Sequence, residues 1–271
     1  MTMPFDTTKP NMARMYDYWL GGKDNFEADR QAAQAVREVR PQVAEQAFDN
    51  KKFQTRAVTY VAGQGVRQFV DIGSGLPTSP VQAAGGTPLW LATHEAARAV
   101  IPDALVAYVD VDEVAVLHSQ ALLAGGSRQV VAVPGDVLDP LAILGHDKIR
   151  GAGFALTAPA CVVLACILHF MDAQTARGIV ATLTGALAPG SYVVISVGFA
   201  PGQSGQDFAS AYNAQSGPRI YSHSWEEITA MFGGLELVPP GLATAPAWRP
   251  GQGQSAPPEQ ASIVAGLGRK A

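Results

Sequence analysis

The apolar positions change rhythm along this chain, and the change divides it. From Asp29 to Arg40, and from Gln42 to Val61, they recur at helical spacing, with Pro41 between the two segments and Gly63 as a stop signal. Ahead of them, Met1 to Gly22 is aromatic, glycine-containing and aperiodic, which predicts an ordered arm or a loop-rich segment. Past Gly63, short apolar runs alternate with helical stretches. The runs Gln68–Ile72, Leu105–Asp110, Gln129–Val133, Ala160–Ala165 and Ser191–Val197 read as strands. One helix starts near Asp112, a good N-cap, and stops at Gly125-Gly126; another runs from Asp172 to Leu187. Such alternation predicts a parallel sheet covered by helices on both faces. Beyond the fifth strand the rhythm breaks. Ser224-Trp225-Glu226-Glu227 fits a capping box that opens a short helix to about Phe232. Leu235–Val238 and Ser262–Leu267 read as two last strands, and Pro239–Pro258 between them reads as an extended surface loop.

Composition narrows the class of molecule. The 271 residues suffice for one large domain, or one domain with a cap, and no internal repeat is visible. With 48% hydrophobic and 15% charged residues the chain reads as an ordinary globular protein. A formal net charge of -4 gives no basic footprint for nucleic acid or an anionic membrane. The N-terminus lacks the apolar core of a signal peptide, and Ala158–Phe170 is too short to span a bilayer. Cys161 and Cys166 form no C-x-x-C pair and read as buried, reduced thiols, so a cytoplasmic location is expected.

The chemistry concentrates after the first strand, in Asp71-Ile72-Gly73-Ser74-Gly75. A strand that ends in an acid and a Gly-x-Gly turn lets a nucleotide-like ligand approach bare backbone; a tight turn with no ligand is the alternative. Dinucleotides need a third glycine, and that register gives Thr78. S-adenosylmethionine carries no phosphate, and its ammonium and sulfonium groups favour a nearby acid such as Asp71. Asp110 ends the second strand, where a carboxylate can accept both ribose hydroxyls, while Asp112 is read as the helix cap. Asp136, after the third strand, suits an acceptor for the adenine amino group, although Gly135-Asp136 alone is more often a turn. Three acids after three successive strands are more specific than any one of them.

These residues carry a resemblance. The stretch Ala13-Arg14-Met15-Tyr16-Asp17-Tyr18-Trp19-Leu20-Gly21-Gly22-Lys23-Asp24-Asn25-Phe26 with Asp29-Arg30, the segment Gln68–Thr78, and His94-Glu95, Tyr108-Val109-Asp110 and Leu168-His169-Phe170 all match one family. So do Leu187–Ser191 and Gly234–Leu237. The chain resembles the actinobacterial S-adenosylmethionine-dependent methyltransferases of the methyltransferase 19 type, formerly a domain of unknown function. The resemblance implies an α/β fold of the Rossmann-like class I methyltransferase type. Its sheet would be mostly parallel and seven-stranded, with residues 1–63 as an N-terminal arm and helical cap and residues 64–271 as the cofactor domain of one structural unit. It implies that Asp71, Gly73 and Gly75 bind the methionine and ribose portion, that Asp110 holds the ribose, and that Asp136 and Val137 flank the adenine. The arm would fold over the cofactor. Three departures stand out. Ser79–Ala92 is an insertion, Ala92 replaces an expected Asn, and Val111-Asp112-Glu113 replaces Asn-Asp-Pro beside the ribose.

Methyl transfer is an in-line displacement that requires alignment, water exclusion and, for a hydroxyl or amine acceptor, removal of a proton. His169, after the fourth strand, is the candidate general base, against the alternative of a histidine satisfied by backbone in a strand-end turn. His94 is read as lining the cofactor site or as capping a helix. In the arm, Arg14 is a candidate partner for the methionine carboxylate, and Tyr16, Tyr18 or Trp19 for the sulfonium through cation–π attraction. Gly21-Gly22 would permit close backbone approach. Tyr212 and Trp225 are candidates for the acceptor site, with plain packing as the alternative. No histidine or cysteine pair has ligand spacing, so no metal is expected. The leading function is methyl transfer from S-adenosylmethionine to a small molecule. A non-catalytic module that binds S-adenosylmethionine or its demethylated product is the second reading, and a nicotinamide oxidoreductase the third.

Overall fold

Segments that are apolar on both faces are stable as strands only with helices packed above and below them, and all five runs meet that condition. They form β1 (Gln68–Ile72), β2 (Leu105–Asp110), β3 (Val130–Pro134), β4 (Cys161–Ala165) and β5 (Tyr192–Phe199) in the computed structural model, which describes residues 6–82, 86–123, 129–200, 202–214, 219–249 and 262–271. These strands pair in parallel in the order β3-β2-β1-β4-β5. The order reverses at β1, whose neighbours are β2 and β4, and ligands of such sheets bind outside the carboxyl ends at that point. Three more strands follow: β6 (Glu236–Leu237), β7 (Ala243–Thr244) and β8 (Ser262–Arg269). β8 runs antiparallel beside β5, and both short strands pair with it. The sheet is thus Rossmann-like but has eight strands instead of seven. The additional strand, β7, lies inside the segment expected to be loop; its two residues are held by pairing with Ala265 and Val264, a tertiary cause that leaves no periodic signal.

Helices cover the sheet from both sides. The chain opens with α1 (Met12–Trp19), α2 (Glu27–Val39) and α3 (Val43–Gly63), so the arm expected to be aperiodic contains a helix. Then come α4 (Thr93–Arg98), α5 (Glu113–Leu123), α6 (Pro140–Gly145), α7 (Asp147–Gly151), α8 (Ala173–Ala186), α9 (Gly202–Asn213) and α10 (Trp225–Ala230). The Gly125-Gly126 stop signal lies outside the described residues. Ser224 caps α10 as the sequence predicts, and Asp172, at the expected start of α8, caps that helix. Among the described residues no helix forms between β1 and α4, and at the start of α4 the Glu95 carboxylate accepts the Ala92 amide at 2.8 Å. Among the described residues no helix is long and apolar enough to cross a membrane.

Strand alternation sorts the core into two layers. Val70, Ile72, Val162 and Leu164 pack with Ile143, Ile149, Leu183 and Ile228 beneath α6, α7, α8 and α10. Phe69, Val106, Cys161 and Val163 pack against Phe53, Ala57, Ala96 and Trp248 under α3 and α4. A third cluster joins α1, α2 and α3 to Tyr212 of α9.

One fully buried carboxylate ties the arm together. Asp29 accepts the amides of Asn11 and Phe26, each at 2.8 Å, and the Arg14 Nε at 2.7 Å. It therefore caps α2 and neutralises the buried guanidinium of α1 at once. Asp29→Ala strands that guanidinium and is expected to cost about 3–5 kcal/mol of unfolding free energy. Glu27→Ala, which removes an exposed pair with Arg30, should change little. Urea denaturation of the two variants checks this; equal, small effects would show that the pair does not hold the arm.

Candidate functional site

Above the carboxyl ends of the parallel strands lies a cavity of about 410 Å³, in the size range of small-molecule sites. Its floor is Ile72–Gly75 after β1, Asp110 after β2, Asp136 after β3 and Ala165–Ile167 after β4. Its roof comes from Tyr16 and Asp17 of α1, Asn50 and Lys51 of α3, and Phe208 and Tyr212 of α9.

The floor turns sharply after β1. The amides of Gly73 and Ser74 both donate to the Val109 carbonyl, at 2.8 and 3.1 Å. Gly73 has a φ of +70°, and a Cβ there would fall 2.7 Å from the Ile167 side chain, so only glycine makes this corner. At Gly75 the nearest atom to a Cβ would be Ala13 at 4.0 Å, which leaves its backbone open to the cavity. The Gly75 amide donates to Asp110 Oδ2 at 2.8 Å, and the Asp112 amide to Asp110 Oδ1 at 2.9 Å. Each carboxylate oxygen thus keeps a lone pair for a ligand hydroxyl. Burial raises the Asp110 pKa, and those two amides work against the rise. Asp112 caps α5 through the Val114 amide at 2.8 Å and accepts Asn11 Nδ2 at 2.7 Å. Asp136 Oδ1 accepts the Leu138 amide at 2.9 Å, so this residue shapes a turn as well as lining the cavity.

A hydrogen-bonded chain ties the roof to the floor. The Cys166 amide donates to Ser196 Oγ (3.0 Å), whose hydroxyl donates to Asn50 Oδ1 (2.6 Å). Asn50 Nδ2 donates to the Tyr16 hydroxyl (2.9 Å), which donates in turn to the Ala47 carbonyl (3.1 Å). A second tie joins the Thr78 hydroxyl to Asp17 Oδ1 at 2.6 Å. Burial pushes the Cys166 thiol up to about 12, so it stays neutral.

The cavity wall brings together Tyr16, Gly73, Gly75, Asp110 and His169, with Val111, Asp136 and Val137 beside them. It does not include Arg14, Tyr18, Gly21, Asp71 or His94. Arg14 is spent on Asp29 and on the Lys9 carbonyl. The Tyr18 hydroxyl accepts from Gln34 at 3.2 Å. Gly21, with φ +77°, follows the C-cap of α1 and serves to end that helix. Asp71 shares the face of Phe69, under α3 and α4, and its Oδ2 accepts Gln54 Nε2 at 2.8 Å and the Thr93 hydroxyl at 2.6 Å. Beside it Tyr108, opposite Asp71 in the sheet register, takes the His94 amide at 2.9 Å and contacts His94 Nδ1 at 2.7 Å. Asp71 and His94 thus brace the corner from behind the wall.

His169 sits in a short 3-10 turn (Leu168–Phe170). Its Nδ1 faces the Gly198 amide at 3.5 Å, a long contact, and its carbonyl accepts the Tyr221 amide at 2.8 Å. Burial, helped by His223, pulls its pKa down to about 4, so the ring is neutral near pH 7. Tyr212 lines the cavity, its hydroxyl against the Met12 sulfur, whereas Trp225 packs on Phe199 outside it.

Sequence reading missed Asp17, Asn50, Lys51 and Arg40 as members of the wall. A signal existed for α3. Gln46, Asn50 and Gln54 recur every fourth residue on its buried face, a polar stripe that a purely structural helix has no reason to bury. Lys51, one position from the stripe, donates to Gln54 Oε1 at 3.4 Å. Burial lowers its pKa, and the charge of Asp71 opposes the shift.

Comparison with known proteins gives the family and the fold. The S-adenosyl methyltransferase family profile matches residues 1–271. A protein from Thermobifida fusca YX, provisionally described as a methyltransferase, is 37% identical with a TM-score of 0.87, over 98% of this chain and 96% of that one. A duf574 family protein from Streptomyces avermitilis is 34% identical with a TM-score of 0.85, over 98% and 99%. An O-methyltransferase family protein from Burkholderia thailandensis shares the fold at 15% identity and a TM-score of 0.51, over 90% of this chain and 60% of that one. A comparison with curated proteins found no match. The matched profile, the two relatives and the strand order agree: the chain belongs to the S-adenosyl methyltransferase family.

Proposed function

We propose that this protein binds S-adenosylmethionine in the cavity and transfers its methyl group to a small-molecule acceptor. One observation carries the reading. The open backbone at Gly75, the half-satisfied carboxylate of Asp110 and the Asp136–Val137 turn share one wall, at the ends of three successive parallel strands. That wall fits the donor. Asp110 would hold the ribose hydroxyls, Val137 would pack on the adenine, and Asp136 would accept from its amino group. Lys51 replaces Arg14 as the cation available to the methionine carboxylate, because Arg14 is closed into its pair with Asp29. The Tyr16 ring, fixed by Asn50 and Ala47, offers its face to a cation. When bound, the donor supplies an electrophilic methyl group on a sulfonium.

The protein's own part is to align, to exclude water and to take a proton. α1 and α9 partly cover the cavity over the strand ends, and exclusion of water by a bound donor and acceptor would strengthen each polar contact there. His169, neutral and only loosely held at Nδ1, is the group suited to take the acceptor's proton at that nitrogen. The net charge of -4 favours a small acceptor over nucleic acid.

Titration calorimetry with S-adenosylmethionine and S-adenosylhomocysteine tests the donor site. Wild type should bind both, and Asp110→Ala should bind at least about a hundredfold more weakly, the worth of two hydrogen bonds to a charged group. No binding by a folded wild type would reject the reading. Binding without product formation across a broad acceptor panel would leave the non-catalytic module in its place. His169 has an acceptor-free readout. Its folded-state pKa of about 4 lies below the ordinary 6.5, so the unfolded chain takes the proton first. Stability should therefore be complete above pH 6.5 and fall as pH drops toward 4, and His169→Gln should flatten that window. With an acceptor in hand, the acid limb of kcat/KM should fall near pH 4 and not near 6.5, and His169→Gln should lower kcat/KM by about a hundredfold.

A further inference from the structure

Arg40 is a buried cation with no anion beside it among the described residues. It follows the last residue of α2 and precedes Pro41, which forbids the helix from continuing. Its backbone is satisfied: the amide donates to the Val36 carbonyl at 2.9 Å and the carbonyl accepts the Val43 amide at 3.1 Å. Its side chain is not. The residue is only 7% exposed, it lines the cavity, and the guanidinium lies 4.0 Å above the Phe208 ring of α9. Among the described residues no carboxylate or carbonyl accepts from that guanidinium, so its five N–H donors face an aromatic ring and the cavity. Burial lowers its pKa, and no neighbouring charge opposes the shift.

The other inward arginines are treated differently. Arg14 is paired with Asp29, and Arg56 is held by the carbonyls of Trp248 and Ala245. A buried unpaired charge is unfavourable for the empty protein, and the stacking on Phe208 offsets only part of that penalty. A guanidinium kept open at a cavity wall matches a ligand anion through its planar fork.

Position then separates this cation from the donor site. Lys51, on α3, is the cation coupled to Asp71 below the β1 corner. Arg40 instead lies on Phe208, which packs in one cluster with Val43, Ala47, Ala209 and Tyr212 on the cavity wall. Those neighbours are apolar or aromatic, so they fit an apolar or aromatic body. One guanidinium balances a single negative charge, which a carboxylate supplies; a phosphate dianion would bring charge that nothing on that side compensates. Building on the methyl-transfer reading above, the geometry points to an acceptor that is a small aromatic or apolar carboxylic acid, its carboxylate read by Arg40.

The test can be run before the acceptor is identified. Benzoate, 4-hydroxybenzoate, 3-phenylpropionate and indole-3-acetate are each titrated against their primary amides, on the free protein and on protein saturated with S-adenosylhomocysteine. At least one acid should bind about tenfold or more tightly than its amide, as expected for a charge-assisted pair. Arg40→Leu should abolish the preference, and Arg40→Lys should restore part of it, with the S-adenosylhomocysteine affinity of both variants held and the melting temperature of Arg40→Leu not lowered. The proposal is overturned if no acid is preferred, or if the preference survives in Arg40→Leu. It is also overturned if Arg40→Leu loses S-adenosylhomocysteine affinity tenfold, which would give Arg40 to the donor, or if it lowers the melting temperature sharply with no acid preference in wild type, which would make it structural. Failure of wild type to bind S-adenosylhomocysteine, with the acid preference intact, would reject the donor reading and leave this one standing.

Discussion

An opening above the sheet persists because the helices that roof it are held by buried polar contacts at fixed points. The relay from Cys166 through Ser196 and Asn50 to Tyr16 and Ala47 joins the residue after β4 to β5, α3 and α1, and Asn50 and Ser196 within it are almost fully buried. Apolar packing would draw the layers into contact and fill the space. Hydrogen bonds instead set a distance, and leaving any one of these groups unpaired costs about 1–3 kcal/mol. Asp17–Thr78 and Asn11–Asp112 repeat the device along α1 and its N-cap. The roof is thereby positioned by the strand ends themselves, which also carry the corner and the acids of the candidate site.

The two sides of the cavity then divide the chemistry. Toward β1, β2 and β3 the wall is backbone and carboxylate, with Lys51 as its cation. Toward α2 and α9 it is aromatic and apolar, with Arg40 as its cation. His169 and Tyr16 line the same space at the β4 and α1 positions, where a methyl donor on one side would face an acceptor on the other. Asp71 contributes from behind. By holding Gln54 of α3 and Thr93 of α4, it fixes the end of β1 from which the glycine corner departs.

The five parallel strands and most of the long helices were legible because long apolar runs and i+4 patterns are set by local order along the chain. The facing of individual residues was not. A strand apolar on both sides shows no period-two contrast, so nothing in Gln68–Ile72 reveals whether Asp71 points to the cavity or to α3. Gly73 and Asp110 could be placed because a turn and a strand end face the crevice whichever way the strand alternates. Arg14 and Gly21 belong to the most specific motif in the sequence, yet the structure gives one to Asp29 and the other to the end of α1. A motif records that residues are needed together, and burial decides which of them meet a ligand. β7 and α9 were invisible for simpler reasons: two residues carry no period, and Gly202 and Gly205 weaken the helical signal of α9.

The most direct test of the donor site is a crystal structure of the protein with S-adenosylhomocysteine. Both ribose hydroxyls should lie within hydrogen-bonding distance of the Asp110 carboxylate, with the adenine against Val137 and α1 in place, Asp17 still bonded to Thr78. A ribose bound away from Asp110, or an α1 displaced from Thr78 to admit the ligand, would contradict this placement.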